Sequence, residues 1–190
     1  MTKSIYLCGV GGQGTILVSK ILTSALIQMG YDVKMSEIHG MSQRGGSVVT
    51  QIRFGKKIYS PSIGFGEADI IVSFEKIEAL RALPYLKKGG TIVLDPCEIY
   101  PMSVLTGNTE YPHNAIDSLK TVVENLMTVN AAQIARTLGN KKAQNIVLLG
   151  ALVRAMGLQN KIDWESLIRT SVPAKAVQVN LEAFRAGCQL

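Results

Sequence analysis

The 190-residue sequence predicts an α/β domain whose sheet is mostly parallel and carries one antiparallel hairpin. Three observations predict it. A glycine cluster, Gly9-Val10-Gly11-Gly12-Gln13-Gly14, stands between a short apolar run and a long stretch with helical apolar spacing. Nearly all-apolar runs return at Ala68–Phe74 and Thr91–Leu94, as expected of parallel strands buried on both faces. Between them Ser47–Phe54 alternates, with Val48, Thr50, Ile52 and Phe54 on one face. The layering these strands require is that of a three-layer, Rossmann-like domain.

The elements follow in order. Ile5–Cys8 reads as the first strand, and the glycine turn leads into a helix carrying Val18, Ile21, Leu22, Ala25, Leu26 and Met29, with Gly30 as its stop. Tyr31–Glu37 reads as a second strand, completing a β-α-β unit. Ile38–Gly46 is polar and aperiodic, a loop. After Ser47–Phe54, Gly55-Lys56 predicts a type II′ hairpin turn into a strand at Lys57–Ser60. A helix from Lys76 is expected to bend or end near Pro84, and Gly89-Gly90 is expected to turn the chain. Tyr100–Leu105 reads as an edge strand because of Pro101. Ala115–Asn125 predicts a helix, Met127–Val129 a last strand, and three further helices follow, from Asn130, from Lys142 and behind an Asp163 cap. Pro173 sits at the first turn of a terminal helix ending near Gly187.

Hydrophobic residues make up 47% and charged residues 18% of the chain, enough for a full core in one domain over residues 1–190. The apolar excess leaves two readings open, a thickly layered core or a face covered by another subunit. No apolar run approaches the roughly 18 residues of a membrane span, and Met1-Thr2-Lys3 leads into a strand, so the expected location is cytoplasmic with no membrane partner. The net charge of +6 is spread over scattered Lys and Arg, which argues against nucleic acid. Cys8, Cys97 and Cys188 have no metal-type or iron–sulfur spacing, so no metal ligand is assigned.

Ligands of parallel sheets bind at the carboxyl ends of the strands. Residues there are Gly9–Gly14, Glu37-Ile38-His39, Glu75 and Asp95, joined by the loop Gln43-Arg44-Gly45-Gly46. The candidate cofactor-binding residues are Gly9, Gly11, Gly12, Gln13, Gly14, Gln43, Arg44, Gly45 and Gly46, with Arg44 offering a planar fork for phosphate or carboxylate. No catalytic residue is assigned, and His39 stays open between an acid–base group and a surface histidine. Gly9, Gly11 and Gly14 also fit G-x-G-x-x-G, with Glu37 ending the second strand, which is the spacing of a stand-alone NAD(P)- or FAD-binding oxidoreductase. Against it stands the segment after Glu37, where a second glycine loop and a hairpin replace the expected crossover helix.

The segments GVGGQG at Gly9–Gly14, EIHGMSQRGG at Glu37–Gly46, Ser47–Phe54, Tyr59-Ser60-Pro61, Glu67-Ala68-Asp69, Glu75 with Glu78-Ala79-Leu80-Arg81, and Pro84–Lys87 resemble the gamma-type subunit of 2-oxoacid:ferredoxin oxidoreductases. His39-Gly40-Met41 with Gln43–Gly46 is most similar to the indolepyruvate type, whose equivalent is its beta subunit. The resemblance implies a subunit inactive alone, docked on a large partner that carries thiamine diphosphate, magnesium and [4Fe-4S] clusters. It also implies coenzyme A as co-substrate and ferredoxin as electron acceptor through the complex, while a homodimer of the isolated chain stays open.

Overall fold

The computed structural model describes residues 2–39 and 45–190. Six strands form one sheet in the order β2-β3-β1-β4-β5-β6, with β1 Lys3–Val10, β2 Asp32–His39, β3 Ser47–Gly55, β4 Ala68–Ser73, β5 Leu86–Leu94 and β6 Asn125–Thr128. Strands β1, β4, β5 and β6 are parallel neighbours, and β3 runs against both β1 and β2. The β1–crossover–β2 unit therefore exists, but β3 lies between its two strands.

The sheet is covered on both sides, and the period of two in its strands decides which side chain goes where. Ile5 and Leu7 of β1, with Ile52, Val72 and Val93, face a thick layer of α1 Thr15–Gln28, α5 Ala131–Thr137, α6 Gln144–Ala155, α7 Trp164–Ser171 and α8 Val177–Gln189. Tyr6 and Cys8, with Ile71, Ile92 and Leu94, face a thinner layer of α2 Lys76–Ala82 and α4 Ala115–Val122. A further short helix, α3 Met102–Leu105, lies in the connection after β5. Much of the apolar excess is spent in the thick layer, where Ile146–Leu149 and Ala151–Val153 of α6 are all buried.

Several expectations are corrected. The antiparallel hairpin is made by β2 and β3, not by Ser47–Phe54 and Lys57–Ser60. Both edges of β3 are already filled by β1 and β2, so no edge remains for 57–60 and no type II′ turn forms at Gly55-Lys56. The Ile58 N–H instead bonds Asp32 Oδ2 at 2.7 Å. Ile38 and His39 belong to β2, with His39 opposite Val48. Gly89-Gly90 does not turn the chain but sits within β5, where a register shift between Ala68 and Ile70 of β4 absorbs the extra residues as a bulge. Tyr100–Leu105 is no strand, because β6 occupies the free edge of β5 and Pro101, lacking a donor, starts α3 instead. The helix at Ala115 ends at Val122. Asp163 does cap α7, its Oδ1 accepting the Ser166 N–H at 3.0 Å.

Candidate functional site

The glycine turn and the second glycine loop meet at the carboxyl end of β1. The Gly11 N–H donates to the Gly46 carbonyl at 2.8 Å and the Gly45 N–H to the Gly11 carbonyl at 3.5 Å. Gly9, Gly11, Gly12, Gln13, Gly14, Gly45 and Gly46 are thus one backbone unit, whereas Gln43 and Arg44 lie outside the described residues.

Gln13 is committed to the fold. Its Oε1 accepts the Val10 N–H at 2.7 Å and its Nε2 donates to the Phe74 carbonyl at 2.6 Å, fastening the turn to the end of β4. Its amide therefore braces the turn. Gly9 is required because a Cβ there meets Gln13 Oε1 and Phe74 Cβ, each at 2.9 Å. Gly14 is required twice: its φ is +81°, and a Cβ would lie 2.3 Å from Asn145 Nδ2. Asn145 donates to the Gly14 carbonyl at 3.2 Å, and its buried Oδ1 has no partner among the described residues. The sequence carried a signal for Asn145, the amide at the head of an otherwise apolar buried helix.

Helices α1, α2, α5 and α6 begin at this edge, and the first three differ in how their N-termini are met. Glu75 caps α2, its Oε2 accepting the Ile77 and Glu78 N–H groups at 2.7 and 3.0 Å while Oε1 takes the Ile99 N–H at 3.3 Å and the Tyr111 hydroxyl. That carboxylate and burial together push the Tyr111 phenol up. Asp95 serves α5, its Oδ2 accepting the Ala132 N–H and Gln144 Nε2, both at 2.9 Å, and its Oδ1 the Cys97 N–H at 3.0 Å. Burial raises the Asp95 carboxyl above its ordinary value, and these donors offset only part of that. The N-terminus of α1 has no such carboxylate: its first turn contains no acidic residue and Gly14 offers no side-chain cap. The N–H groups of Gly12, Gly14, Thr15 and Ile16 take no acceptor among the described residues. Open N–H groups at a helix N-terminus, with the macrodipole behind them, suit an anion.

Glu37 does not serve a dinucleotide here. In that fold the acidic residue ends the strand beside β1, about 5 Å away. With β3 interposed, Glu37 lies about 10 Å from β1, two strand spacings away, and Ser19 Oγ of α1 approaches its Oε1 at 3.4 Å. Burial pushes the Cys8 thiol up to about 12 and the Cys188 thiol up to about 11, and it raises the Cys97 thiol above its ordinary value. Among the described residues no group of three or more His, Cys, Asp and Glu is placed to hold a metal ion, and no helix is long and apolar enough to cross a membrane. Glu78 ties the start of β3 to α2, with Oε2 accepting the Ser47 hydroxyl and Oε1 accepting from Arg81 Nη1 at 2.6 Å.

Fold and edge together define a three-layer Rossmann-like domain with an α1 N-terminus that no side chain caps, and its strand order differs from the 3-2-1-4-5-6 of the dinucleotide fold. The chain belongs to the pyruvate ferredoxin/flavodoxin oxidoreductase family, whose model matches residues 4–190. It is 40% identical over 190 residues to the indolepyruvate oxidoreductase subunit IorB of Thermococcus kodakarensis, covering 97% of this chain and 93% of that one. Among solved structures it resembles the gamma subunit of a keto/oxoacid ferredoxin oxidoreductase from Geobacter sulfurreducens, with a TM-score of 0.71 at 24% identity over 98% and 96% of the two chains. It also resembles the 2-oxoglutarate:ferredoxin oxidoreductase of Magnetococcus marinus, with a TM-score of 0.76 at 20% identity, covering 99% of this chain and 30% of that longer one. The sequence-based family resemblance and fold class are thereby borne out, and the stand-alone dinucleotide reading finds no support.

Proposed function

We propose that this chain is the small subunit of a 2-oxoacid:ferredoxin oxidoreductase of the indolepyruvate type, docking by its two-glycine-loop edge on a larger cytoplasmic partner. The 40% identity to an indolepyruvate oxidoreductase subunit over nearly the whole chain supports the assignment. In this reading thiamine diphosphate with magnesium and the [4Fe-4S] clusters, all on the partner, supply decarboxylation of the aryl pyruvate and carry two electrons to ferredoxin. The acyl group passes to the thiol of coenzyme A.

The role of this chain at that step is to hold the anionic end of coenzyme A. One observation carries it: α2 and α5 receive the carboxylates of Glu75 and Asp95, whereas the first turn of α1 has no acidic residue and no side-chain cap, and the N–H groups of Gly12, Gly14, Thr15 and Ile16 take no acceptor among the described residues. In this reading the second glycine loop completes the seat, and the guanidinium of Arg44 supplies a planar fork suited to phosphate. The test is steady-state kinetics of the co-expressed complex carrying Ile16→Glu, which brings a carboxylate to the first turn of α1 at an exposed position. The KM for coenzyme A is expected to rise about tenfold with the KM for the oxoacid unchanged. Arg44→Ala is expected to act in the same direction. If both leave assembly and coenzyme A dependence as they were, the edge does not serve coenzyme A. If no thiamine enzyme copurifies with the chain, the subunit assignment itself fails.

A further inference from the structure

The opposite end of the sheet holds a cleft of about 580 Å³, formed where β1, β4 and β5 begin and α6 ends. Its volume is that of a small-ligand pocket, for which roughly 300–1,000 Å³ is usual. Ile5, Ile70, Met156 and Leu158 supply its apolar lining. Tyr31 stands edge-to-face with Phe54, ring centroids 5.3 Å apart, and is 41% exposed, which leaves ring surface open to the cleft.

Three ammonium groups share this cleft with one carboxylate. Lys3 and Lys87 both reach Asp69 Oδ1, at 3.4 and 3.2 Å, while Asp69 Oδ2 is taken by the Ser4 N–H at 2.9 Å. Lys88 has no ion-pair partner among the described residues. Asp69 therefore gathers two lysines on a single oxygen, and the rim keeps two positive charges in excess. A carboxylate ligand would neutralise half of that excess, and a phosphomonoester dianion all of it. Ammonium groups bind phosphate as point charges, and no planar fork is needed. Beside such an anion seat, an exposed phenol ring on an apolar wall suits a flat, weakly polar ring system.

We propose that this cleft binds a nucleoside monophosphate, its phosphate on Lys3, Lys87 and Lys88 and its base against Tyr31. The site is remote from the glycine edge and independent of the role assigned there. An effector bound in it touches β1, β4 and β5 at once, the strands whose far ends carry the glycine turn, Glu75 and Asp95.

The test is calorimetric titration of AMP into the full chain in complex with its large subunit, with adenosine and inorganic phosphate as separate titrants. Saturable binding of AMP is expected, with adenosine and phosphate each weaker by about tenfold or more. The double substitution Lys87→Ala, Lys88→Ala is expected to weaken AMP about tenfold, and Tyr31→Ala severalfold. Both lysines are exposed, so the fold is retained. Ile16→Glu is expected to leave AMP binding unchanged, which separates this site from the coenzyme A seat. The proposal is overturned by absence of saturable binding, by adenosine binding as tightly as AMP, or by lysine variants that bind like the parent. Tighter binding of phenylacetate than of AMP would overturn it in favour of a carboxylate site. AMP binding to the isolated full chain that vanishes in the complex would overturn it by making the cleft a subunit interface.

Discussion

The two ends of the sheet offer an anion opposite kinds of partner. At the carboxyl end the nearby polar side chains are consumed by the protein itself: Gln13 bridges Val10 and Phe74, Glu75 and Asp95 close helix N-termini, and what remains open is backbone N–H. At the amino end the backbone is closed in strands and the positive charge is carried by long side chains, two of them leaning on one carboxylate. The first end is rigid and specific in geometry because its donors are fixed by the chain. The second is adaptable, since lysine stems rearrange at little cost. The two aspartates report the same contrast. Burial lifts Asp95 above the ordinary aspartate value, while at Asp69 the burial effect is overcome by the Ser4 N–H, Lys87 and Lys3, which bring it below.

The contrast is broken most directly by Gly14→Ala. The left-handed backbone and the collision with the Asn145 amide together are expected to cost about 3 kcal/mol, read from urea unfolding of the isolated chain. A loss under about 1 kcal/mol would mean that the turn is not braced by α6. Gln13→Ala comes next, at about 2 kcal/mol, because it strands the Val10 N–H and the Phe74 carbonyl together. Gly89→Ala sharpens the comparison: its φ is +74°, but a Cβ there has nothing within 4 Å. Only the backbone cost remains, about 1 kcal/mol, so a larger loss than at Gly14 would reverse the assignment of rigid and adaptable ends.

The smallest effect lies in the pH dependence of stability. For Asp95, whose folded value is raised, the contribution falls as pH rises from about 3.9 through that higher value. For Asp69, whose folded value is lowered, the contribution is complete above about 3.9 and is lost as pH falls through the lower value. Unfolding free energies of the parent minus those of Asp95→Asn are therefore expected to decrease with pH in acid, and those minus Asp69→Asn to increase. Two slopes of the same sign would contradict the opposed environments.

The sheet was legible where burial on both faces leaves a nearly continuous apolar run, as at Ile5–Cys8, Ala68–Phe74 and Thr91–Leu94. Pairing was not, because a strand's partners depend on which edges are free and no residue in Ser47–Phe54 records that. The same blindness produced the false strands at Lys57–Ser60, where both edges of β3 are filled, and at Tyr100–Leu105, where Pro101 leads into α3 instead. At the site the glycines were legible from local backbone need. Asn145, 131 residues from Gly14, and Glu78, 31 from Ser47, act across the fold, so spacing along the chain could not place them. Gln13 stood inside the motif, but its bond to Phe74 is decided by where β4 ends and could not be read from spacing.

The interposed strand also bears on how the molecule assembles. β1 and β2 never touch, so the crossover through α1 cannot be consolidated by their pairing. β2 and β3 are joined through residues 40–46 alone, a local contact that closes at low entropic cost. The order this implies is a hairpin formed early and then docked along β1 over the full register from Lys3–Phe54 to Val10–Ser47. Gly46 arrives with that hairpin. The bond from Gly11 to Gly46 extends the β1–β3 ladder beyond Val10 and Ser47, so the double-loop edge requires β3 docked on β1 up to that end.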